Sequence, residues 1–410
     1  MTAEIVIMNR NAVAMAADSA VTIANGQKIY NSSNKLFMLS KYHPVGIMVY
    51  DSAEFLGVGW ETIIKIYRNE LGNKKFNTVE EYGNHFLKFL STTDKLPFKN
   101  QCKESLYGMI CDTLMQIIDT MRRRIGASTE RDHTSEELQE KIYGEFFQAI
   151  FQSSEYPWGI LDIVDLIKAH DIHLDKDFEW LFPKYSDFLS VGIFKKLVTM
   201  SVGILKKGDF LFPSSGIVLA GFGENEIFPS MVSWNVYGIV DDDRLIVVSD
   251  TNMNICHNNS VYIKPFAQGE MVERFIDGID ADFTTRLKTD FREILDLMQE
   301  CGMVGKQFEN KLYDYYDKKI KALKNDFSIP VINAVSVLPK TELANMAEAL
   351  VGLTSIKRKV TFQEETVGGP IDVAIISKGD GFIWIKRKHY FQPELNHHFF
   401  KHYFEGQPDE

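Results

Sequence analysis

Thr2, the second residue of the chain, can hold two reactive groups at once. If Met1 is removed, Thr2 carries a hydroxyl that can act as a nucleophile and a free α-amine that can act as its base. A threonine hydroxyl is a poor nucleophile and needs a base within ~3 Å. The α-amine suits this role because its unperturbed pKa is about 8. A nearby lysine would lower that pKa, and an aspartate would neutralise and orient the lysine.

Bulk properties exclude several classes of protein. The 410 residues predict two or three structural units, and the 45% apolar and 25% charged composition is that of a globular protein. A net charge of −11 argues against a nucleic-acid partner. The N-terminus lacks the basic region of a signal peptide, and no apolar run approaches the ~20 residues of a spanning helix. We therefore expect no membrane association and a cytoplasmic location.

No metal or cofactor is expected. The four cysteines are far apart in the sequence, which predicts reduced thiols rather than disulfides or a zinc site. His170 and His173 have the spacing of metal ligands, but no acidic or cysteine partner accompanies them.

The first fifty residues read as short strands. Alternating apolar residues on either side of Asn9–Asn11 predict a hairpin with both strands half buried. Asn25–Gly26 predicts a second turn. Two further strands are expected at 35–39 and 45–50, followed by a helix that Ser52 would cap.

Beyond residue 70, helical and strand patterns alternate in blocks. Helices are predicted at 78–90, 104–125, 136–151 and 160–170, and strands at 217–221, 231–239 and 244–249. Helical patterns return at 268–279, at 282–324 and at 343–355, where Thr341 would begin the helix. A last hairpin is predicted at 372–376 and 381–386, and the aromatic, histidine-rich tail has no interpretable pattern.

Three motifs resemble catalytic proteasome β-subunits and the bacterial HslV peptidase, which are N-terminal nucleophile hydrolases. The first is Thr2 followed by Ala16-Ala17-Asp18-Ser19, Lys35 and Gly46-x-Met48. The second is Val218-Leu-Ala-Gly-Phe-Gly-Glu. The third is Val367-Gly368-Gly369-x-x-Asp372-Val-Ala-Ile, which follows a periodic helix. The motifs occur in the order of that family and cover about half of the chain.

The resemblance implies a catalytic set of Thr2, Asp18 and Lys35. It implies substrate contacts from Val21, Thr22, Met48, Tyr50 and Ser52, with a preference for apolar side chains. Tyr50 stands where the family has the glycine that supplies a backbone N–H to the oxyanion hole. Ala20 replaces a common arginine, and Glu364 and Val367 replace a supporting aspartate and serine. These departures affect the residues that support the catalytic set more than the set itself.

The fold expected from this resemblance is an α+β, four-layer αββα sandwich with helical insertions. The core would comprise residues 1–70, 216–280 and 331–395, the insertions would be 71–215 and 281–330, and 396–410 would form a tail. The implied function is a threonine peptidase that acts on a peptide or protein and assembles into a homo-oligomeric ring. The insertions would modify that assembly or recruit an ATPase or another regulatory partner. The alternatives are an amidase or acylase acting on a small amide, and a catalytically inactive structural subunit.

Overall fold

The computed structural model describes residues 3–23, 28–126, 136–152, 159–160, 162–208, 210, 212–241, 243–302, 305–361, 367–399 and 401. The strands within these residues are β1 (Ala3–Asn9), β2 (Val13–Ala17), β3 (Val21–Ile23), β4 (Lys28–Tyr30), β5 (Leu36–Met38), β6 (Val45–Asp51), β7 (Glu54–Phe55), β8 (Val58–Gly59), β9 (Ser215–Gly221), β10 (Ser230–Asp241), β11 (Arg244–Asn254), β12 (Val261–Ala267), β13 (Asp372–Ser377) and β14 (Gly381–Lys386). The helices are α1 (Trp60–Leu71), α2 (Val79–Thr92), α3 (Cys102–Gly126), α4 (Glu136–Phe151), α5 (Ile163–Ala169), α6 (Val191–Lys207), α7 (Glu270–Asp277), α8 (Ala281–Glu300), α9 (Lys306–Ser336) and α10 (Lys340–Val360).

Two five-stranded antiparallel sheets form the centre of the molecule, which confirms the α+β class. The first sheet has the order β12-β1-β2-β13-β14, and the second has the order β11-β10-β9-β6-β5. The hairpin of β1 and β2 pairs Ile5 with Ala16. The amide oxygen of Asn9 holds the turn by accepting bonds from the N–H groups of Asn11 and Ala12.

Side chains of β1 alternate between two buried clusters. Ile5 and Ile7 pack with residues of α7, α9 and α10, such as Leu343. Val6 and Met8 pack with residues of the second sheet. Both strands of the hairpin are therefore buried on both faces, and the expectation that they are half buried is wrong. Their mostly apolar composition fits this environment.

The outer face of the second sheet carries α1 and α2, whose buried residues cluster with those of β6, β9 and β10. A separate apolar cluster joins α3, α4, α5 and α6. Chain segments between β8 and β9 thus include two helices that cover the sheet and four that mainly pack on one another. No helix in the described part of the chain combines the length and apolarity needed to cross a membrane.

The predicted helix start at Ser52 is wrong. Ser52 does not cap a helix, because residues 54–59 form the β7–β8 hairpin and α1 begins only at Trp60. The hairpin turns through Leu56 and Gly57, which both have positive φ and so cannot continue a right-handed helix. Helix α10 begins before Thr341, with Pro339 at its N-cap.

Strand β12 was not predicted from the sequence. It pairs with β1 at the edge of the first sheet, with Pro265 opposite Ile5. Proline lacks a backbone N–H and is tolerated on edge strands, but its presence weakens a strand pattern in the sequence. The other predicted strands and the last hairpin are confirmed. The predicted turn at Asn25–Gly26 lies outside the described residues.

Gly46 allows the two sheets to approach each other. A Cβ at this position would lie 2.8 Å from Ile376 Cδ1, 2.9 Å from Phe382 Cε2 and 3.0 Å from Met15 Sδ. We expect Gly46→Ala to lower the free energy of unfolding by about 1–3 kcal/mol, because the added methyl overpacks this contact. Urea denaturation measures the change. Gly379→Ala is the control, because a Cβ there meets no atom within 4 Å, and equal stability of the two variants would contradict the prediction.

Candidate active site around Asp18 and Lys35

Asp18 lies immediately after β2 and accepts hydrogen bonds on both carboxylate oxygens. Oδ1 accepts the N–H of Ala3 at 3.2 Å, and Oδ2 accepts the N–H groups of Gly368 at 2.9 Å and Ala20 at 3.3 Å. The Asp18 backbone N–H in turn donates to the carbonyl of Ala3 at 3.1 Å. The carboxylate is thus fixed against the start of β1.

Lys35 completes the surroundings of this carboxylate. Its Nζ lies 2.5 Å from Asp18 Oδ1, and the two side chains are 6% and 0% exposed. Lys35 immediately precedes β5, and its carbonyl accepts the N–H of Val49 in β6 at 2.9 Å. Because Asp18 directly follows β2 of the first sheet and Lys35 directly precedes β5 of the second, the ion pair links the two sheets at one end.

The turn at Val367–Gly368–Gly369 holds Asp18 from the far end of the chain. The Ser19 backbone N–H donates to the Gly368 carbonyl at 3.1 Å, and the Ser19 hydroxyl donates to the carbonyl of Pro370. Gly369 has φ +76°, and a Cβ there would lie 2.8 Å from Asn31 Cβ. A glycine is therefore needed both for the left-handed conformation and for the close approach.

A narrow cleft opens beside Lys35. It is lined by Val21, Ser33, Asn34, Lys35, Val49, Tyr50, Asp51, Ser52, Ala53 and Trp60. Its enclosed volume is about 20 Å³, which is room for about one water molecule. Asp51 has φ +67°, an uncommon conformation for a residue other than glycine. Burial raises the pKa of its carboxyl group.

The structure places the predicted substrate contacts in two environments. Val21, Tyr50 and Ser52 line the cleft with Lys35, whereas Met48 is fully buried between the two sheets. Thr22 pairs with Ile29 in the β3–β4 hairpin, and its side chain lies outside the described residues. Thr2 also lies outside them.

The side chain of Tyr50 packs inward although the residue borders the cleft. Its ring covers Gly216, where a Cβ would lie 2.0 Å from the Tyr50 Cζ atom. The phenol donates to Asn235 Oδ1 at 3.3 Å. Burial, reinforced by the nearby carboxylates of Asp250 and Asp51, raises the pKa of this phenol, so that it stays protonated at neutral pH.

The residues that depart from the resemblance have structural roles where they are described. Ala20 contributes a backbone N–H to Asp18, and Val367 is buried in the cluster beneath α10. Gln268, directly after β12, accepts a bond from Arg358 Nε at 2.7 Å. Glu364 lies outside the described residues.

His170 and His173, which have the sequence spacing of metal ligands, make other contacts in the structure. The His170 ring bonds the carbonyl of Val240 at 2.9 Å, and His173 faces Asp171. Across the described ranges, no three His, Cys, Asp or Glu side chains are grouped so that they could hold a metal.

Sequence reasoning missed Asn34 and Asp51 as lining residues of the cleft. Asn34 directly precedes Lys35, so its adjacency was the available signal. The left-handed backbone of Asp51 depends on how β6 ends against the β7–β8 hairpin, which no local pattern indicates.

The buried ion pair makes a quantitative prediction. Lys35→Met would leave the Asp18 carboxylate buried without its cation, and we expect a loss of about 3–5 kcal/mol in the free energy of unfolding. The double variant D18N/K35M should cost less than the sum of the two single variants, because it leaves no uncompensated charge. Chemical denaturation of all three variants measures this coupling.

Lys95→Met provides the matched control. Lys95 also pairs with a carboxylate, Glu70, but its side chain is 57% exposed. Its loss should change stability by less than about 1 kcal/mol. If Lys35→Met proves no more costly than Lys95→Met, the ion pair does not hold the site together.

Comparisons with known proteins return distant structural neighbours. No protein-family model and no curated protein matches the chain. Among solved structures, Anbu (ancestral beta-subunit) from Yersinia bercovieri is 8% identical, with 100% of this chain and 98% of that chain covered and a TM-score of 0.31. An Anbu Gly-1 mutant from Hyphomicrobium sp. strain MC1 is 9% identical, with 100% and 99% covered and a TM-score of 0.31. The helical assembly of the Anbu complex from Pseudomonas aeruginosa is 6% identical, with 100% and 98% covered and a TM-score of 0.29.

These neighbours correct the family assignment made from the sequence. They are Anbu proteins, which are proteasome-like but form a family distinct from the catalytic proteasome β-subunits and HslV, so the assignment to the latter group is wrong. TM-scores near 0.3 do not define a shared fold, and the site described above rests on the contacts of this chain alone.

Proposed function

We propose that this protein is a hydrolase that cleaves an amide bond with Thr2 as its N-terminal nucleophile, once Met1 has been removed. One observation carries the proposal. The Ala3 N–H and Lys35 Nζ both contact the same oxygen of the buried Asp18 carboxylate. Ala3 is joined to Thr2 by a single peptide bond, so the ion pair lies within a few ångströms of the residue with the reactive groups.

The alternating side chains of β1 show which face of the strand is turned toward the second sheet. Val6 and Met8 face the second sheet, and successive side chains of a strand point to opposite faces. Glu4 has the same parity along β1 as Val6 and Met8 and is buried, so this face of the strand is turned toward the second sheet, where Lys35 and the cleft lined by Val21, Tyr50 and Ser52 lie. The proposal requires the Thr2 hydroxyl to act on this face.

The chemistry would proceed through an acyl-enzyme. The Thr2 hydroxyl oxygen attacks the substrate carbonyl, and its proton passes to the Thr2 α-amine. The amine then gives this proton to the leaving nitrogen as the amide bond breaks. Water, activated by the same amine, attacks the ester and releases the acid together with free Thr2. Lys35 favours the neutral amine that this cycle needs, and Asp18 keeps Lys35 oriented.

Further features of the proposal concern architecture and assembly. We assign the helix and sheet layers to a four-layer αββα sandwich, with residues 71–215 and 281–330 as insertions. The backbone N–H of Tyr50 would stabilise the oxyanion. A peptide or protein substrate, a homo-oligomeric assembly and a cytoplasmic location complete the proposal. The insertions would alter the assembly or receive a regulatory partner such as an ATPase.

The central test is covalent labelling of the purified protein with an electrophilic peptide. We expect intact mass to show that the chain begins at Thr2 and gains one equivalent of the reagent, with the adduct mapped to Thr2 by peptide sequencing. Thr2→Ala should abolish both labelling and hydrolysis, and Lys35→Met should reduce both by at least about a hundredfold, because the α-amine that acts as the base would lose the cation that keeps it neutral.

Thr92→Ala is the control, since Thr92 lies at the end of α2 and its hydroxyl donates to the carbonyl of Lys88. It should label at the wild-type rate. Retention of Met1 in the mature protein would block the amine and refute the mechanism. Parallel assays on an unfolded protein and on short amides distinguish a peptidase from a small-molecule amidase.

A further inference from the structure

A second, larger cavity lies next to the Lys35 cleft. It consists of two adjoining parts of about 210 and 160 Å³, both lined by Asn34, Glu61, Lys65, Arg387 and Phe399. We call this space the tail cavity, because residues 387–391 and Phe399 of the C-terminal segment form one of its walls. The opposite wall comes from the 31–34 loop and from α1.

The tail cavity is positively charged although the chain is acidic. Four cations line it, Lys65, Arg68, Arg387 and Lys388, against the two carboxylates of Glu61 and Asp372. The whole chain carries a net charge of −11. A local excess of positive charge within such a chain favours an anionic ligand.

The protonation of neighbouring groups agrees with this field. Burial raises the pKa of Glu61, but hydrogen bonds from Lys65 and Asn34 and the charge of Arg387 lower it below its ordinary value. Burial and the charge of Arg387 lower the pKa of His389, so that its imidazole is neutral at pH 7. Near neutral pH, Glu61 therefore stays ionised and His389 stays neutral, so the other side chains determine the charge of the cavity.

The cations of the cavity already have contacts within the protein. Lys388 is paired with the buried carboxylate of Asp372, and Lys65 lies 2.5 Å from Glu61. The Arg387 guanidinium lies over the Trp384 ring, 4.8 Å from its centroid. Such stacking orients the planar fork of an arginine, and that fork matches two oxygens of a carboxylate or of a phosphate.

Aromatic rings complete the wall on the side of the tail. Phe391 lies 5.0 Å from Phe399 and 5.2 Å from His389, measured between ring centroids. Phe391 and His389 line one part of the cavity, and Phe399 lines both parts. The chemistry of the lining therefore fits an anion that carries an apolar group.

The tail cavity and the Lys35 cleft share Asn34. This residue lines the cleft and both parts of the cavity. Its side-chain amide donates to Glu61 Oε2 at 3.1 Å, and it is the residue directly before Lys35. A ligand in the cavity would thus lie against Asn34, the residue that precedes Lys35 of the candidate active site.

We propose that the tail cavity binds the C-terminal carboxylate of a short peptide, so that the substrates of this protein are short peptides with a free carboxylate rather than internal bonds of long chains. The statement that such peptides are substrates rests on the proposed hydrolase function. The statement that the cavity binds them does not. Arg387 would receive the carboxylate, Lys65 would add positive charge, and the aromatic wall would contact the apolar side chain of the terminal residue.

Isothermal titration of the full-length Thr2→Ala variant tests binding without turnover. The probes are N-acetyl-Leu-Phe with a free carboxylate and the same dipeptide as its C-terminal amide. We expect the acid to bind at least tenfold more tightly than the amide. Arg387→Gln and Lys65→Met in the same background should each remove most of this preference, and Arg387→Lys should restore part of it. Lys95→Met, outside the cavity, should retain the full preference.

Two outcomes would overturn the inference. The first is equal binding of acid and amide by the folded Thr2→Ala protein, with folding checked by thermal unfolding. The second is displacement of the acid by inorganic phosphate at the same concentration, which would show an anion site without selectivity for a carboxylate.

If the wild-type protein hydrolyses nothing but the acid still binds selectively, the proposed function fails and the binding site stands. Hydrolysis without carboxylate selectivity would instead refute the carboxylate site and leave the proposed function standing.

Discussion

The buried ion pair between Lys35 and Asp18 is the contact on which the candidate site depends. Two charges removed from water cost several kcal/mol each unless their mutual attraction and further hydrogen bonds compensate. Asp18 has this compensation, because three backbone N–H groups and Lys35 Nζ surround its carboxylate. The pair also joins the two sheets, so a change in the packing of either sheet alters the geometry of the charges next to the start of β1.

The need to satisfy one carboxylate explains why distant parts of the chain meet here. Gly368 donates to Asp18 across 350 positions of sequence. The left-handed Gly369 lets that turn approach Asn31 and Ser19 closely. Gly46 serves the same purpose between the sheets, where a side chain would push Ile376 and Phe382 away. The first and third motifs, which are far apart in the sequence, are thus parts of one set of contacts.

Sequence reasoning succeeded where short-range periodicity decides the local structure and failed where tertiary contacts decide it. The first and last hairpins and the Asp18–Lys35 association could be anticipated, because alternation and motif order carry them. The helix start at Ser52 could not, since the positive φ of Leu56 and Gly57 arises from a hairpin that propensities do not indicate. Strand β12 was hidden by Pro265. The described residues Tyr390, Phe391 and Phe399 line a cavity opposite the 31–34 loop and α1, an arrangement that no local sequence pattern indicates.

Residues 387–391 and Phe399 form one wall of a second cavity beside the Lys35 cleft. The Lys35 cleft has room for about one water molecule and offers little surface to bind a side chain. A substrate held only there would gain little binding energy. The adjoining tail cavity supplies charge, aromatic surface and a much larger volume, with Asn34 common to both. Binding energy from a part of the substrate remote from the scissile bond can orient the bond for attack. If both proposals hold, the C-terminal segment, far from Thr2 in sequence, would determine which amide the nucleophile meets.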